Sequence, residues 1–383
     1  MDFSLSMEQE ILRRSVREFA EKEIRPVARE LDEDERFSYE TMQKMAELGL
    51  FGMFVSEDYG GQGMDYVSYI IATEEIARVD GSHAATIAAG NSLGIGPLYY
   101  FGNEDQKQKY LPTLCSGEGL WGFGLTEPNA GSDAGNSQTT ALLEAGEWVI
   151  NGSKIFITNA STKISAGVTA LCRTGTTKNN RPELSCILVE NGTNGYEARE
   201  MHGKLMWRAS NTSELYFDDC RVPEGNLLGG RGHGFHQMLE TLDGGRLSIG
   251  AMGLGGAQGC FDRALSYSRE RVQFGKPISS FQSNAFKLAD MALEIECARL
   301  ILYKACWLRD NKKPFSKEAA MAKLHCSEVM YRCANHAVQL HGGYGLMKEY
   351  DVERFYRDQK LLEIGEGTSE VQRIVISRLI GAL

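Results

Sequence analysis

The stretch Leu361-Leu362-Glu363-Ile364-Gly365-Glu366-Gly367-Thr368-Ser369-Glu370-Val371-Gln372 organises the reading of the whole chain. An apolar run stops at Gly365, and a single carboxylate, Glu366, follows between two glycines. Ser369 with Gln372 three residues on is the S-x-x-Q form of a capping box, so a helix is expected to open there. Val371, Ile374, Val375 and Leu379 continue at helical spacing, and Gly381 supplies the stop. Glu366 is thereby placed just ahead of a helix N-terminus, with glycines that let another molecule approach the backbone. A carboxylate so placed can be a general base, a metal ligand or a cap that complements the helix dipole.

Helical periodicity extends upstream from this stretch to about Gly234. From Phe281 to Asn311, Ala285, Leu288, Ala292, Ile295, Ala298, Leu302 and Ala305 step by three or four. Leu242 to Ser266 is rich in glycine, at a cost of about 1 kcal/mol each against alanine in a helix. Close packing or a ligand pressed on the backbone is the expected reason. Between Trp121 and Val222 the texture changes. Short runs (Trp121–Leu125, Glu147–Ile150, Ile155–Ile157, Val168–Cys172, Ser185–Val189, Glu214–Phe217) alternate with turn residues, which predicts a β-barrel or sandwich. Trp148-Val149-Ile150 entering Asn151-Gly152 predicts a hairpin turn.

The first part reads as helical again: Met7 to Ala28, broken near its end by Pro26, then Tyr39 to Leu50, Val67 to Val79, Ala84 to Tyr100 and Gln106 to Leu114. The run from Ala84 has no polar face, so it is expected to be buried on several sides. The fold class is α+β, in the order α, β, α, with domains expected at 1–118, 119–228 and 229–383.

Composition bounds the task. The chain has 383 residues, 42% hydrophobic and 24% charged, with a formal net charge of −10. An acidic chain argues against nucleic-acid binding, because phosphate backbones select basic faces. No apolar run reaches the ~20 residues of a membrane span. The opening Met1-Asp2-Phe3-Ser4-Leu5-Ser6 has neither a basic nor an apolar leader, so a cytoplasmic protein is expected. The nine cysteines are scattered without a CxxC pair, and the histidines lack HExxH spacing, so no disulfide framework and no metal site is expected.

Four further stretches carry chemistry. Phe123 to Asp133 follows a strand with hydroxyls and free amides. It suits the edge of a flat heterocycle and a phosphate, or is an ordinary loop. Asn151 to Asn159 sets an aromatic and a hydroxyl two residues apart, for a ligand or for a half-buried strand. Arg269 to Pro277 offers a guanidinium suited to pyrophosphate. Gln339 to Gly345 ends a helix at a glycine pair, for a ligand or as a simple C-cap.

Together these stretches carry a resemblance. TEPNAGSD from Thr126, NGSKIFITN from Asn151, RVQFGKPI from Arg271, QLHGGYG from Gln339 and GEGTSEVQR from Gly365 resemble motifs of the acyl-CoA dehydrogenase family. DYGG at Asp58 and FDD-x-RVP from Phe217 fit as well, and the likeness spans roughly Phe3 to Arg378. It implies an N-terminal helical domain, a middle β-domain and a C-terminal four-helix bundle, usually assembled as a homotetramer. It also implies FAD as cofactor, an acyl-CoA of fatty-acid β-oxidation as substrate and electron-transfer flavoprotein as electron acceptor. By motif, Phe123, Leu125, Thr126, Phe156 and Thr158 would line the isoalloxazine. Gly131 and Ser132 would lie near phosphates. Arg271, Phe274, Gln282, Gln339, Gly342 and Gly343 would reach the FAD of another subunit, and Thr368 and Glu370 would touch the adenosine half of FAD. Asp243, Arg246 and Arg378 match positions that hold CoA, with Gly365 and Gly367 beside the acyl group.

Glu366 matches the family's base. By resemblance it takes the pro-R α-hydrogen as a hydride leaves Cβ for flavin N5. The enolate oxygen is held by a ribityl hydroxyl and the Glu366 N–H. An apolar pocket raises a carboxylate's pKa and so aids proton abstraction. Some relatives carry the base one residue before Arg246, where this chain has Gly245. Many straight-chain enzymes have tyrosine where Gly365 stands. With Gly244, Gly245 and the small run Ala84, Ala85, Ala88, Ala89 and Gly90, a branched, cyclic or bulky acyl group is expected. The alternatives are a short straight chain, with Met206, Trp207 or Tyr344 filling the space, and an enoyl-CoA reductase on the same residues.

Overall fold

The computed structural model describes residues 4–383, so the expectation for Met1–Phe3 lies outside the described residues. Helix α1 (Met7–Phe19) is opened by a reciprocal capping box between Ser6 and Gln9. Pro26 does not end the helical run. Ala20–Ile24 widens into a π turn, the Arg25 N–H reaching Ala20 O, and α2 (Arg25–Glu33) starts with Pro26 in its first turn. There the missing N–H costs nothing. Then follow α3 (Tyr39–Glu47), α4 (Tyr66–Ala77), α5 (Gly81–Ala88), a π turn over Ala89–Ile95, α6 (Gly96–Phe101) and α7 (Glu104–Cys115). As the all-apolar pattern requires, α5 is buried almost throughout.

The middle of the chain forms one eight-stranded sheet. Its strands are β1 (Leu120–Gly124), β2 (Thr140–Glu144), β3 (Glu147–Thr158), β4 (Ser165–Thr176), β5 (Pro182–Glu190), β6 (Tyr196–Glu200), β7 (Thr212–Pro223) and β8 (Leu227–Leu228). The order is β6-β7-β3-β2-β4-β5-β8, with β1 parallel along the first half of β4. The hairpin expected at Asn151-Gly152 does not exist: β3 runs straight through it with a bulge against β7. Gly152 (φ 145°) is required there because a Cβ would lie 2.6 Å from Thr139 Oγ1. The chain turns instead at Ala145-Gly146, between β2 and β3, where both residues have positive φ as a two-residue hairpin demands.

Helices α8 (Gly234–Glu270), α9 (Gln282–Asp310), α10 (Ser316–His341) and α11 (Val352–Ile364) pack together, and α12 (Ser369–Leu379) closes the chain. Between α8 and α9 lies a small hairpin of β9 (Val272–Gln273) and β10 (Lys276–Pro277). The glycines of α8 serve close packing. A Cβ at Gly255 would lie 2.1 Å from Glu74 O on α4, and one at Gly253 2.8 Å from Cys326 O on α10. The N-terminal and C-terminal helices therefore share one apolar core, running from Val16 and Ile70 to Leu302 and Phe355. A separate core lies within the sheet around Trp148, Ile150 and Val189.

Candidate active site

The site begins where α11 ends. Gly365 terminates that helix, Glu366 (φ 52°) and Gly367 (φ 89°) turn in the left-handed region, and Thr368 caps α12. The cap is thus Thr368, whose hydroxyl accepts from the Val371 N–H at 3.2 Å; Ser369, the expected cap, is already inside the helix with a buried, unpartnered hydroxyl. Gln372 turns inward instead of capping. Its Nε2 donates to Glu366 O at 3.2 Å and to Gly367 O at 2.9 Å. A non-glycine residue in the left-handed region is strained, and it persists only where the surroundings fix it.

The Glu366 side chain points at α8. Its Oε2 lies 1.9 Å from where a Cβ of Gly245 would be, and it is sealed from solvent without any hydrogen-bond partner. The residue as a whole is half-buried, and Oε2 is the carboxyl oxygen that is cut off from solvent. Burial pushes its pKa up to about 7, against the pull of Lys323 and Arg246. Arg246 is buried, bonded to Asp243 Oδ1, and its Nε has no partner. Lys323, wholly buried on α10, donates to Gly367 O at 2.8 Å, and burial lowers its pKa to about 8 although Glu366 opposes this.

The glycines and alanines expected to leave room are mostly refilled. Arg309 Nη1 and the Tyr66 hydroxyl lie 2.6 and 3.1 Å from a would-be Cβ at Gly244, and a Phe51 ring carbon 2.9 Å from one at Gly90. Ala84, Ala85 and Ala88 are core residues, while Ala89 keeps partial exposure. Of the side chains expected to fill space, Trp207 packs on Gly81 and Tyr344 lines a different groove. Gly365 alone keeps ordinary room: its nearest neighbours are its own helix's Leu361 atoms at 3.5 Å and beyond.

A second group gathers at β1 and β3. Phe123 and Leu125 are buried and Thr126 and Thr158 half-buried, while Phe156 stands out from a bulge at positive φ, 62% exposed. Beneath them lies a pair absent from the sequence reading. Lys154 Nζ donates to Glu127 Oε1 at 2.7 Å, to Ser137 Oγ at 3.1 Å and to Leu125 O at 3.3 Å. Glu127 also accepts the N–H groups of Gln138 and Thr139. Burial alone would raise its pKa, but the Lys154 charge and these bonds hold it down at about 2. Beyond the loop, Gly131 is open and Ser132 exposed.

A third group lines a groove of about 610 Å³ formed by Tyr267, Arg271, Gln273, His341, Gly342 and Gly343 among others. Arg271 sits 5.7 Å over the Tyr344 ring. Phe274, 93% exposed at φ 53°, projects from the β9–β10 turn, and Gln282 and Gln339 are also exposed. Glu370 and Arg378 lie on the outer face of α12. The expected residues thus form three clusters. Lys323, Lys154 and Glu127 were missed; a lysine directly after the small apolar run Ala319–Ala322 was the one available signal for the first of them.

An α–β–α chain with a glutamate oxygen buried and unpartnered at a strained turn offers a base suited to taking a proton from a weak acid. Models of the N-terminal, middle and C-terminal acyl-CoA dehydrogenase domains match residues 6–118, 122–220 and 232–381, and the chain belongs to that family of FAD enzymes. It is 52% identical over 378 residues to YngJ, a probable acyl-CoA dehydrogenase of Bacillus subtilis, with 99% of each chain covered. It is 47% identical over 377 residues to a short-chain-specific acyl-CoA dehydrogenase of Clostridium acetobutylicum, covering 98% of this chain and 99% of that one. The solved butyryl-CoA dehydrogenase of Megasphaera elsdenii superimposes with a TM-score of 0.96 at 41% identity, covering 99% of this chain and 100% of the other. The residues present fit FAD. No atom lies within 4 Å of a would-be Cβ at Gly131, Gly342 or Gly343, which leaves backbone open to phosphates, and Phe156 offers an uncovered ring for a flat heterocycle. Among the described residues no helix is long and apolar enough to cross a membrane.

Proposed function

We propose that the protein converts a short acyl-CoA thioester to its trans-2-enoyl-CoA, with Glu366 removing the α-proton. The observation that carries this is the Glu366 carboxylate, whose Oε2 is buried without a partner and whose pKa burial raises to about 7. A base with a free lone pair and a near-neutral pKa matches the demand of a weakly acidic C–H bond. The Glu366 N–H donates to no backbone carbonyl among the described residues, which leaves it for the developing enolate oxygen. FAD, when bound, takes up the hydride lost from Cβ. Phe123, Leu125, Thr126, Phe156 and Thr158 would line it, and Gly131 and Ser132 would serve its phosphates. Arg271, Phe274, Gln282, Gln339, Gly342 and Gly343 would hold the FAD of a neighbouring subunit, and Thr368 and Glu370 would touch the adenosine half of FAD. Asp243, Arg246 and Arg378 would take the CoA part.

The filling of Gly244, Gly245 and Gly90 by protein atoms restricts the acyl group. The room left at Gly365 supports a branch near Cα or Cβ, in place of the larger cyclic groups. Holoenzyme turning over isobutyryl- or isovaleryl-CoA at least as well as butyryl-CoA, and inactive as Glu366→Gln, is the expected result. Turnover of butyryl-CoA alone would remove the branch and keep the base; activity in Glu366→Gln would remove the base.

We also propose a homotetramer that passes electrons to electron-transfer flavoprotein, in line with family membership. Phe286, Leu293, Leu300 and Trp307 recur every seven residues along α9, all exposed, and this stripe supports contact with a second copy. Nine free cysteines, eight of them buried, support a reducing cytoplasm.

A further inference from the structure

Lys323 is the one lysine of the C-terminal helices with no exposed surface among the described residues. Ala319, Ala320, Ala322 and Cys326, its neighbours along α10, are all buried too, and its ammonium has left water without a carboxylate bonded to it. Burying an unpaired cation is expensive, and a neutral residue would pack there at lower cost. Its ammonium donates to Gly367 O, the carbonyl after the base. One turn along α10, Ser327 Oγ lies between Lys323 O at 2.7 Å and Leu362 O at 3.0 Å, its one proton shared between these two acceptors. Lys323 therefore holds the segment that carries Glu366 at its Gly367 end, with Ser327 near its Leu362 end, while Gln372 holds it from α12.

We propose that Lys323 is a positioning residue for Glu366: its ammonium pins the left-handed turn through Gly367 O and supplies the positive field that lets the buried base ionise. This rests on the reading of Glu366 as the base. The other charged or titratable groups around the pair are Arg246, with its partner Asp243, on α8, Tyr69 on α4, Glu363 on α11 and Glu370 on α12. Arg246 is neutralised by Asp243, whereas Lys323 has no such bonded partner, so its charge acts on Glu366 undivided. A lysine needed only as a hydrogen-bond donor would be replaceable by glutamine.

The test separates donor from charge. In substrate-free holoenzyme, the protonated carboxyl band of Glu366, assigned by its loss in Glu366→Gln, is titrated by infrared difference spectroscopy. Lys323→Met and Lys323→Gln are both expected to move its midpoint up by at least about one pH unit, as removal of a close opposite charge requires. The acid limb of kcat should move with it, with FAD content and KM little changed. A folded Lys323→Gln enzyme with an unmoved midpoint overturns the proposal. So does loss of folding in both variants while Glu366→Gln folds, because the lysine is then a structural residue. Turnover retained in Glu366→Gln would instead sink the base itself, and the infrared midpoint would still judge Lys323.

Discussion

The Glu366 carboxylate occupies the place of the side chain that Gly245 lacks, with Oε2 only 1.9 Å from an ideal Cβ there. The two residues are 121 positions apart by their numbering, yet each constrains the other. A side chain at 245 and a carboxylate reaching in from 366 exclude one another in this arrangement. Gly245 is therefore the seat of the Glu366 carboxylate, the proposed base, and its missing side chain leaves no empty space.

Gly245→Ala is expected to move the base while sparing the fold. The obstructing atom is the far end of a flexible side chain, so the α8 backbone need not shift. Alanine also gains about 1 kcal/mol of helix propensity over glycine. A base displaced by about 1 Å can lose on the order of 10²-fold in rate. Stopped-flow kcat should fall by that order with Tm unchanged or higher. Equal kcat in the variant would show that Glu366 works from another position.

The pKa of Glu366 gives two coupled pH effects. In kcat/KM, which reports the free enzyme, activity should rise with pH through about 7, because only the ionised carboxylate takes a proton. Stability runs the other way. The folded pKa lies above the unfolded value of 4.5, so the folded state binds the proton more tightly. The protein is relatively stabilised by this group below 4.5 and loses that contribution as pH rises through 7. Glu366→Gln should raise Tm at pH 8 and converge on the wild type by pH 4.5. A constant difference across that range would mean the carboxyl group is not desolvated.

Sequence periodicity exposed the α–β–α order because helix faces and strand runs are local signals. The capping signal of α12 was displaced by one residue because Thr368 and Ser369 are both competent caps, and only packing decides that Ser369 is buried. Asn151-Gly152 misled because glycine there answers a non-local contact with Thr139. Glu366 was legible through its flanking glycines. Lys323 and the Glu127–Lys154 pair were not, since nothing local ties residues 43 and 27 positions apart; only the turn of α11 into α12 and the closing of β3 on β1 bring them together. Likewise, small residues suggested an open acyl site until Phe51, Tyr66 and Arg309 proved to fill the space.

Breaking the Glu127–Lys154 pair should unseat the loop between β1 and β2. Lys154→Met leaves a buried carboxylate holding three donors of the 137–139 segment without its counter-charge, a loss of about 3–5 kcal/mol for such pairs. FAD retention through gel filtration should drop sharply, and urea midpoints should fall. The double variant Glu127→Gln with Lys154→Met removes both charges and should recover part of the loss. No recovery in the double variant would mean that the Lys154 bond to Leu125 O, rather than the charge pair, holds the loop.

The exposed stripe on α9 should decide assembly. Phe286, Leu293, Leu300 and Trp307 fall on one line of the helix, whose opposite face is buried through Leu288, Ile295 and Leu302. In an isolated chain such a stripe faces water along most of a 29-residue helix. Covering it with a second copy buries apolar area worth about 25 cal/mol per Å². Leu293→Glu with Leu300→Glu places two carboxylates in that contact without touching the core residues on the other face. Analytical ultracentrifugation should then show smaller particles with wild-type circular dichroism. Because Arg271, Phe274 and Gln282 are proposed to serve a neighbour's FAD, the dissociated variant should also lose flavin. A double variant that keeps both its mass and its flavin would remove α9 from the interface.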